Sequence, residues 1–444
     1  MQQPQQKPGR PGTSLAGKTA KRVILNIERL EAVRILNAVM IEQKQLSELK
    51  QSTEFQALQP QERARAQRLA MHTLRHVGRA DRALRPHLAK LPAVEVLNVM
   101  RLGVVEIVGL GAPAHAVVND LVSICSANGK TRAFKGLINA VLRKAVADVS
   151  GKWDKSPVQM LPKWLRNPLK EAYGNGTVMA LETAHMRGAP VDLTVTSEPT
   201  VWAKKLNGIV LPNGSVRLNE MGQISSLEGF RDGNWWVQDA SASWPAMWLG
   251  LQYGETVLDV CAAPGGKTMQ MAAMGAKVTS LDISPQRMKR VAENLNRTKL
   301  KAETIIANIM DWEDSRSFDA VLLDAPCSAT GTIRRHPDLP FAKDGTGISE
   351  LISLQADMLS AAAKRVKLGG RLVFCTCSLI PDEGEVQAEN FLKDNNNFVA
   401  DATTPLGIDE KWRTEEGGFR LRPDFWPDLG GMDGFYIIRL NRLR

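Results

Sequence analysis

Two cysteines of this 444-residue chain stand where thiols could act as nucleophiles. Cys327 lies in the segment Leu-Asp-Ala-Pro-Cys-Ser and Cys377 lies in Cys-Thr-Cys-Ser, and each segment follows an apolar run typical of a buried strand. In open parallel sheets, ligands bind beyond the carboxyl ends of the strands. We therefore expect the two thiols to converge at one edge of a sheet, on neighbouring strands.

Two thiols beside a methyl donor indicate methylation at carbon 5 of a pyrimidine. That carbon becomes nucleophilic only after a thiolate has added to carbon 6, and its hydrogen must later be removed before the thiol is expelled. A free thiol is roughly a few per cent ionised at neutral pH, so nearby groups must activate it. Asp324 could hydrogen-bond the N3 edge of a cytosine, which requires a protonated Asp324 with a raised pKa.

Other uses of the cysteines are less well supported. Cys375 and Cys377 form a Cys-x-Cys pair, but no second ligand pair accompanies it, so we expect no metal site. Buried cysteines are also ordinary core residues. We assign that structural role to Cys125, Cys261 and Cys375.

A loop of small residues follows the predicted strand at 256–260. A Walker A loop needs Gly six residues before the Lys of Gly-Lys-Thr, where this chain has Cys261, and the dinucleotide motif Gly-x-Gly-x-x-Gly is also absent. Asp282 ends the next strand, where a carboxylate suits a ribose diol, although it could instead cap the helix that begins at Ser284-Pro285. The pattern favours S-adenosylmethionine, a ribose-bearing ligand without pyrophosphate. The loop residues expected to bind it are Cys261, Ala262, Ala263, Pro264, Gly265, Gly266 and Lys267.

The elements that must position these loops alternate between strand and helix over residues 236–444. Strands are predicted at 256–260, 277–281, 303–306, 319–323 and 371–375, with helices between them such as 285–296 and 350–366. This alternation is typical of a parallel sheet with helices on both faces, an α/β domain of the Rossmann-like class I type. A last strand at 434–440 follows a loop rather than a helix, so we expect it to be antiparallel.

The remainder of the chain is predicted to form three further parts. Residues 1–22 have the composition of a flexible basic tail, residues 23–150 show helical spacing throughout and predict an all-α bundle, and residues 151–235 predict a small α+β connecting subdomain with strands at 191–195 and 208–211. Residues 1–150 carry a net charge of +12, against −2 for the rest. Seven arginines between Arg63 and Arg85 predict a basic face on the bundle that binds a polyanion such as nucleic acid.

Composition excludes several classes of protein. Apolar residues make up 43% and charged residues 23%, as in ordinary globular chains. We find no run of eighteen apolar residues and no secretory leader, so we expect no membrane span. Five cysteines are too few for a disulfide framework in a chain of this length. We expect a cytoplasmic protein with free thiols.

These motifs together resemble the Sun family of RNA cytosine-5 methyltransferases. The matching segments are residues 261–268, 322–328, 334–338, 376–378 and 433–435. Residues 103–110, 113–119 and 137–143 are similar to a NusB-type RNA-binding domain. The resemblance covers nearly all of the chain after about residue 23. The combination of the two domains resembles bacterial enzymes that act on 16S ribosomal RNA.

The resemblance also implies roles for individual residues. It makes Cys377 the nucleophile and gives Cys327 a later step, hydrogen removal or product release, while the loop 261–267, Asp282 and Asp324 bind the cofactor. Where the family has Asp after the third strand this chain has Asn308, which keeps an acceptor for an adenine amino group and adds a donor. Asp311 could substitute for it. DNA cytosine methyltransferases use the Pro-Cys cysteine, so the identity of the attacking sulfur stays open.

We therefore expect a monomeric enzyme that transfers a methyl group from S-adenosylmethionine to carbon 5 of a cytosine in 16S ribosomal RNA. The target base must be unstacked, so single-stranded or loop RNA is the expected substrate. Two alternatives remain open: a transfer RNA cytosine-5 methyltransferase, and a non-catalytic RNA-binding assembly factor. A protein methyltransferase is less well supported because it would have no use for paired thiols.

Overall fold

The computed structural model describes residues 25–219 and 223–443, so the predicted tail at 1–22 lies outside the described residues. The first part is helical, as the fold class predicts. Its helices are α1 (Ile27–Met40), α2 (Leu46–Leu49), α3 (Thr53–Gln56), α4 (Pro60–Arg75), α5 (Val77–Leu84), α6 (Val94–Val104), α7 (Ala114–Ala127) and α8 (Lys135–Val149).

The core of this bundle forms where α1, α6, α7 and α8 pack together. Leu36, Met100, Leu121 and Leu142 are fully buried in one apolar cluster. A Cβ at Gly103 would lie 2.8 Å from the side chains of both Leu121 and Leu142, so glycine is needed for α6 to approach α7 and α8 this closely.

The connecting part is a long broken helix followed by a small antiparallel sheet. Its strands pair in the order β2-β3-β1-β4, and the helix bends at Gly174, where φ is +79°. The two predicted strands are present, whereas the helix and two further strands were not predicted. The elements are α9 (Lys163–Arg187), β1 (Asp192–Val195), α10 (Pro199–Lys205), β2 (Gly208–Val210), β3 (Val216–Leu218) and β4 (Trp235–Val237).

The last part is an α/β domain built on a second, mixed sheet. It comprises α11 (Ala240–Trp248), β5 (Thr256–Val260), α12 (Gly266–Ala273), β6 (Lys277–Asp282), α13 (Pro285–Thr298), β7 (Glu303–Ile306), β8 (Phe318–Asp324), α14 (Leu339–Ala342), α15 (Ile348–Lys364), β9 (Val366–Thr376), α16 (Glu385–Asp394), β10 (Phe398–Ala400), β11 (Phe419–Leu421) and β12 (Phe435–Arg442).

The strands of this sheet run in the order β10-β12-β9-β8-β5-β6-β7, and β11 pairs with β12. The five strands from β9 to β7 are parallel, whereas β12 pairs antiparallel with β9, as predicted. Apolar clusters cover both faces of the sheet, as the near-continuous apolar runs of its central strands require. The loops that follow β5, β6, β8 and β9 therefore emerge side by side at one edge.

Three arginines of the predicted basic face instead hold the bundle against the rest of the chain. Arg79 is buried and donates to the carbonyl oxygens of Asp154 and Ser156, at 3.1 and 3.2 Å. Arg82 donates to the Pro157 carbonyl at 2.9 Å, and Arg75 donates to that of Arg334 at 2.8 Å. For Arg79, which is buried, the prediction of a polyanion-binding face is wrong. Arg75 is half-buried and Arg82 stays exposed, so for these two it stays a prediction.

Within residues 25–219 and 223–443, every helix is too short or too polar to cross a bilayer.

Candidate active site

The two predicted thiols meet at the carboxyl edge of the sheet. β8 and β9 are adjacent parallel strands with Asp324 opposite Cys375, so the loops that follow them lie together. The Sγ atoms of Cys327 and Cys377 are 3.4 Å apart, and both side chains are half-buried. The hydrogen bond to Cys377, together with burial, raises the pKa of Cys327 well above its usual value. The pair can therefore supply one nucleophile and one neighbouring thiol that keeps its proton.

The other cysteines are placed differently. Cys125 and Cys375 are fully buried in apolar clusters, and burial raises the pKa of each thiol. Cys261 is half-buried at the start of the loop after β5, with φ of +62°, and burial raises its pKa to about 12. Such thiols stay protonated near neutral pH, which agrees with the structural role predicted for all three.

Asp324 is paired with a cation. The Nζ atom of Lys267 lies 2.7 Å from Asp324 Oδ2. Burial works to lower the pKa of Lys267, but the attraction of Asp324 outweighs it and the pKa is raised. An ammonium group at this distance favours an ionised carboxylate. Lys267 and Asp324 thus form an ion pair, and the expectation that Asp324 is protonated at the addition step stays a prediction.

The loop after β5 is held by contacts from the two elements beside it. Gly265 caps α12 with φ of +100°, and a Cβ there would lie 3.3 Å from Val291, so both conformation and space require glycine. Ala262 N donates to the Leu281 carbonyl at 3.1 Å, and Arg287 donates to the Ala263 carbonyl at 2.7 Å. The loop is thus fixed to the end of β6 and the start of α13, with Lys267 on the helix it opens.

Asp282 binds this loop from the end of the neighbouring strand. Its buried carboxylate accepts from Ala263 N at 3.3 Å and from Ser284 N at 3.0 Å. The helix cap is Ser284, whose side chain accepts from Arg287 N, so the alternative that Asp282 is the cap is wrong. A carboxylate has about four acceptor positions, so about two remain for the hydroxyl groups of a ribose.

Asn308 follows β7 at the same edge of the sheet. Its Oδ1 accepts from Met310 N at 3.2 Å, and its Nδ2 donates to Asp311 Oδ2 at 2.9 Å. This hydrogen bond holds the Asp311 side chain in place, and Asn308 is the closer of the two residues to the end of β7. Which of the two residues faces an adenine stays a prediction.

An ion-pair cluster fixes the segment that follows Cys327. Arg334 is almost fully buried and pairs with Asp433 at 2.6 Å and with Asp239 at 2.7 Å, while Arg335 pairs with both carboxylates. Asp239 caps α11 and Asp433 precedes β12. The cluster therefore joins the segment that follows Cys327 to the start of α11 and to the start of β12. The sequence marked Arg334, Arg335 and Asp433 as parts of motifs without assigning this role, and it did not mark Asp239.

Two buried carboxyl groups were missed by the sequence analysis. Asp259, on β5, accepts from Thr268 Oγ1 at 2.5 Å, and burial raises its pKa to about 7. Glu383, a few residues beyond Cys377, is fully buried and accepts from Ser328 and Ser378. The only sequence signal was a concentration of Ser and Thr around the two cysteines. Among the described residues, no three His, Cys, Asp or Glu side chains lie close enough together to hold a metal ion.

A parallel sheet with a glycine loop after one strand and a carboxylate at the end of the next is typical of the Rossmann-like class that includes S-adenosylmethionine-dependent methyltransferases. Comparison with known proteins agrees with this class. Residues 246–441 match the family described as 16S rRNA methyltransferase RsmB/F, and residues 26–147 match the NusB family.

Curated relatives extend the match to nearly the whole chain. The Ribosomal RNA small subunit methyltransferase B of Pasteurella multocida is 32% identical, over 95% of this chain and 98% of its own. That of Xanthomonas campestris is 34% identical, over 96% and 99%. The chain belongs to the RsmB/F family of 16S rRNA methyltransferases, with a NusB-type domain at its amino end.

A solved structure shows the same architecture. The methyltransferase homologue from Pyrococcus horikoshii is 26% identical and superimposes with a TM-score of 0.53, covering 62% of this chain and 94% of its own.

Proposed function

We propose that this protein methylates carbon 5 of a cytosine in 16S ribosomal RNA through a covalent bond between Cys377 and carbon 6 of the base. The observation that carries the proposal is the 3.4 Å separation of two thiols beside the cofactor loop. Methyl transfer to a nitrogen or an oxygen atom needs no thiol, whereas transfer to carbon 5 needs a nucleophile and a proton acceptor.

The two sulfur atoms act in sequence. The Cys377 thiolate bonds to carbon 6, which makes carbon 5 nucleophilic, and the carbon–sulfur bond breaks again after the hydrogen on carbon 5 has been removed. Once its sulfur is bonded to carbon, Cys377 no longer makes the thiol hydrogen bond that is the largest cause of the raised pKa of Cys327. Cys327 can then lose its own proton to solvent and, as a thiolate, accept the proton from carbon 5.

The Lys267–Asp324 pair is assigned to the edge of the base that carries N3. Addition at carbon 6 places negative charge on the ring, which a proton donor at N3 stabilises. The ammonium group of Lys267 lies 2.7 Å from Asp324 Oδ2, so we assign this proton to Lys267. Asp324 orients the ammonium group and can pass the proton on.

S-adenosylmethionine, when bound, supplies the electrophilic methyl group. The residues present fit this cofactor, because Asp282 keeps free acceptor positions for the ribose and Asn308 lies beside it at the strand end. The loop 261–267 would hold the rest of the cofactor, because its small residues and Gly265 allow a ligand to approach the loop backbone closely.

The NusB-type bundle is proposed to contact RNA phosphates as part of a monomer. Arginines such as Arg68 remain exposed on α4, and phosphate contacts make affinity fall steeply with salt. A single-stranded or loop region is the proposed target, since a base in a duplex cannot reach the edge of the sheet.

The substrate is tested with purified RNA and labelled methyl donor. We expect incorporation into small-subunit ribosomal RNA and none into transfer RNA, with the product mapped as 5-methylcytosine by bisulfite sequencing. Incorporation into transfer RNA alone would overturn the 16S assignment. Cofactor binding without transfer to any RNA would support a non-catalytic assembly factor.

A further inference from the structure

Glu383 lies between the two cysteine loops. It ends a short turn, Pro381–Glu383, and its side chain is fully buried. One carboxylate oxygen accepts from Ser328 N at 2.8 Å and from Gln355 Nε2 at 3.1 Å. The other accepts from Ser378 Oγ at 2.6 Å and from Ser328 Oγ. All of these partners are neutral.

These contacts suit an ionised carboxylate, and they connect both cysteine loops to the Glu383 side chain. An ionised Glu accepts at about four positions and donates none, and here four donors meet it. Ser328 directly follows Cys327, and Ser378 directly follows Cys377. Thr376 Oγ1 adds a hydrogen bond to the Glu383 carbonyl at 2.9 Å. One side chain therefore binds the residues next to both reactive sulfur atoms.

The charge of Glu383 also acts on the thiol pair. The pKa of Cys327 is raised by its hydrogen bond to Cys377, by burial, by the charge of Cys377 and then by that of Glu383. Lys343 is a nearby cation, since it donates to the Ser328 carbonyl at 2.8 Å. The Lys267–Asp324 ion pair lies next to Cys375. Arg420, which is buried and paired with Glu385, donates to the Ser378 carbonyl.

We propose that Glu383 is a positioning residue for the thiol pair. It fixes the two cysteine loops at their observed separation and keeps the proton of the pair on Cys327, which leaves Cys377 as the nucleophile. The proposal rests on the proposed function for the catalytic roles of the two sulfurs. The location of the proton can be measured without any RNA.

The first experiment follows alkylation of each cysteine by iodoacetamide as a function of pH, quantified by mass spectrometry of the full-length protein. Glu383→Gln removes the charge and keeps the shape, and its amide can donate to the two serine hydroxyls. We expect it to move the midpoint of Cys327 alkylation to lower pH by about one unit. Asp382→Asn, an equal charge change on the exposed neighbouring side chain, should leave the midpoint in place. An unchanged Cys327 midpoint in Glu383→Gln overturns the proposal.

The second experiment measures methyl transfer by the same variants. We expect kcat of Glu383→Gln to fall roughly tenfold to a hundredfold, with KM for RNA unchanged, because the proton is no longer held on Cys327 while the RNA site stays intact. Asp382→Asn should retain the wild-type kcat. If the unaltered protein methylates no RNA cytosine, the proposed function fails, whereas the alkylation result still decides which sulfur holds the proton.

A third variant covers the case in which Glu383→Gln does not fold. Ser378→Ala removes one of the four donors and leaves the charge in place. We expect a smaller loss of kcat and an unshifted Cys327 midpoint. A Cys327 midpoint lowered by about one unit in Ser378→Ala would show that hydrogen bonding rather than charge places the proton, and would overturn that part of the proposal.

Discussion

The ammonium group of Lys267 lies 2.7 Å from the carboxylate of Asp324, and the two residues come from different strand ends. Lys267 belongs to the first turn of α12, whereas Asp324 ends β8. The contact joins the cofactor loop to the loop that carries Cys327. In the proposed function, this ammonium group is the proton donor to N3 of the cytosine.

Lys267→Met should remove that proton while leaving the loop intact. We expect kcat to fall by about 10²–10⁴-fold, the usual range for losing a general acid, with cofactor affinity reduced less. Steady-state kinetics and calorimetry with S-adenosylmethionine measure the two effects. Lys277→Met, on an exposed residue that starts β6, is the matched control. A wild-type kcat in Lys267→Met would exclude this role.

The arginines of the bundle should separate into those that stabilise the fold and those that bind RNA. Arg79→Ala leaves the carbonyl groups of Asp154 and Ser156 without their donor, so we expect a loss of about 1.5–3 kcal/mol in the free energy of unfolding. Arg68→Ala, on an exposed residue, should leave stability unchanged and lower the salt dependence of RNA binding by about one unit of slope. Denaturant unfolding and binding titrations at several salt concentrations measure both. Equal effects of the two variants on RNA affinity would contradict this division.

His185 should make the protein sensitive to acid. It is buried with neither ring nitrogen paired among the described residues, and burial lowers its pKa from 6.5 to about 3. The unfolded state therefore binds the proton first, so stability is complete above pH 6.5 and falls as the pH drops toward 3. At pH 5 the loss is about 2 kcal/mol.

The free energy of unfolding of His185→Leu, measured between pH 7.5 and pH 5, tests whether His185 causes the acid sensitivity. The variant should lose less stability on acidification than the unaltered protein, because it has no imidazole to protonate. His115→Gln, on an exposed residue, should leave the pH dependence as it was. An equally steep decline in His185→Leu would assign the acid sensitivity to other groups.

Much of the α/β domain was predictable because its strands are buried on both faces. The strand at Thr256–Val260 was predicted to the residue, since an apolar run ends there at a glycine-rich loop. Helix α9 was missed because Pro168 lies inside it and Gly174 breaks it, which obscures the helical period. Local sequence thus identified the segments that carry the chemistry.

The roles that depend on tertiary contacts were not predictable in the same way. The sequence does not distinguish Arg75 and Arg79 from surface charges, because the carbonyl groups that they bind, those of Arg334 and Asp154, meet them only in the folded chain. Glu383 is separated from Ser328 by 55 residues, and no local pattern shows that they meet. The sulfur pair was found because both cysteines follow strands whose adjacency the α/β pattern implies.

The central claim is that Cys377 forms the covalent bond, and RNA that contains 5-fluorocytosine tests it directly. The fluorine prevents release, so the adduct persists on a denaturing gel. We expect the adduct in the unaltered protein and in Cys327→Ala, and none in Cys377→Ala. An adduct that survives in Cys377→Ala and disappears in Cys327→Ala would reverse the two roles and contradict the account.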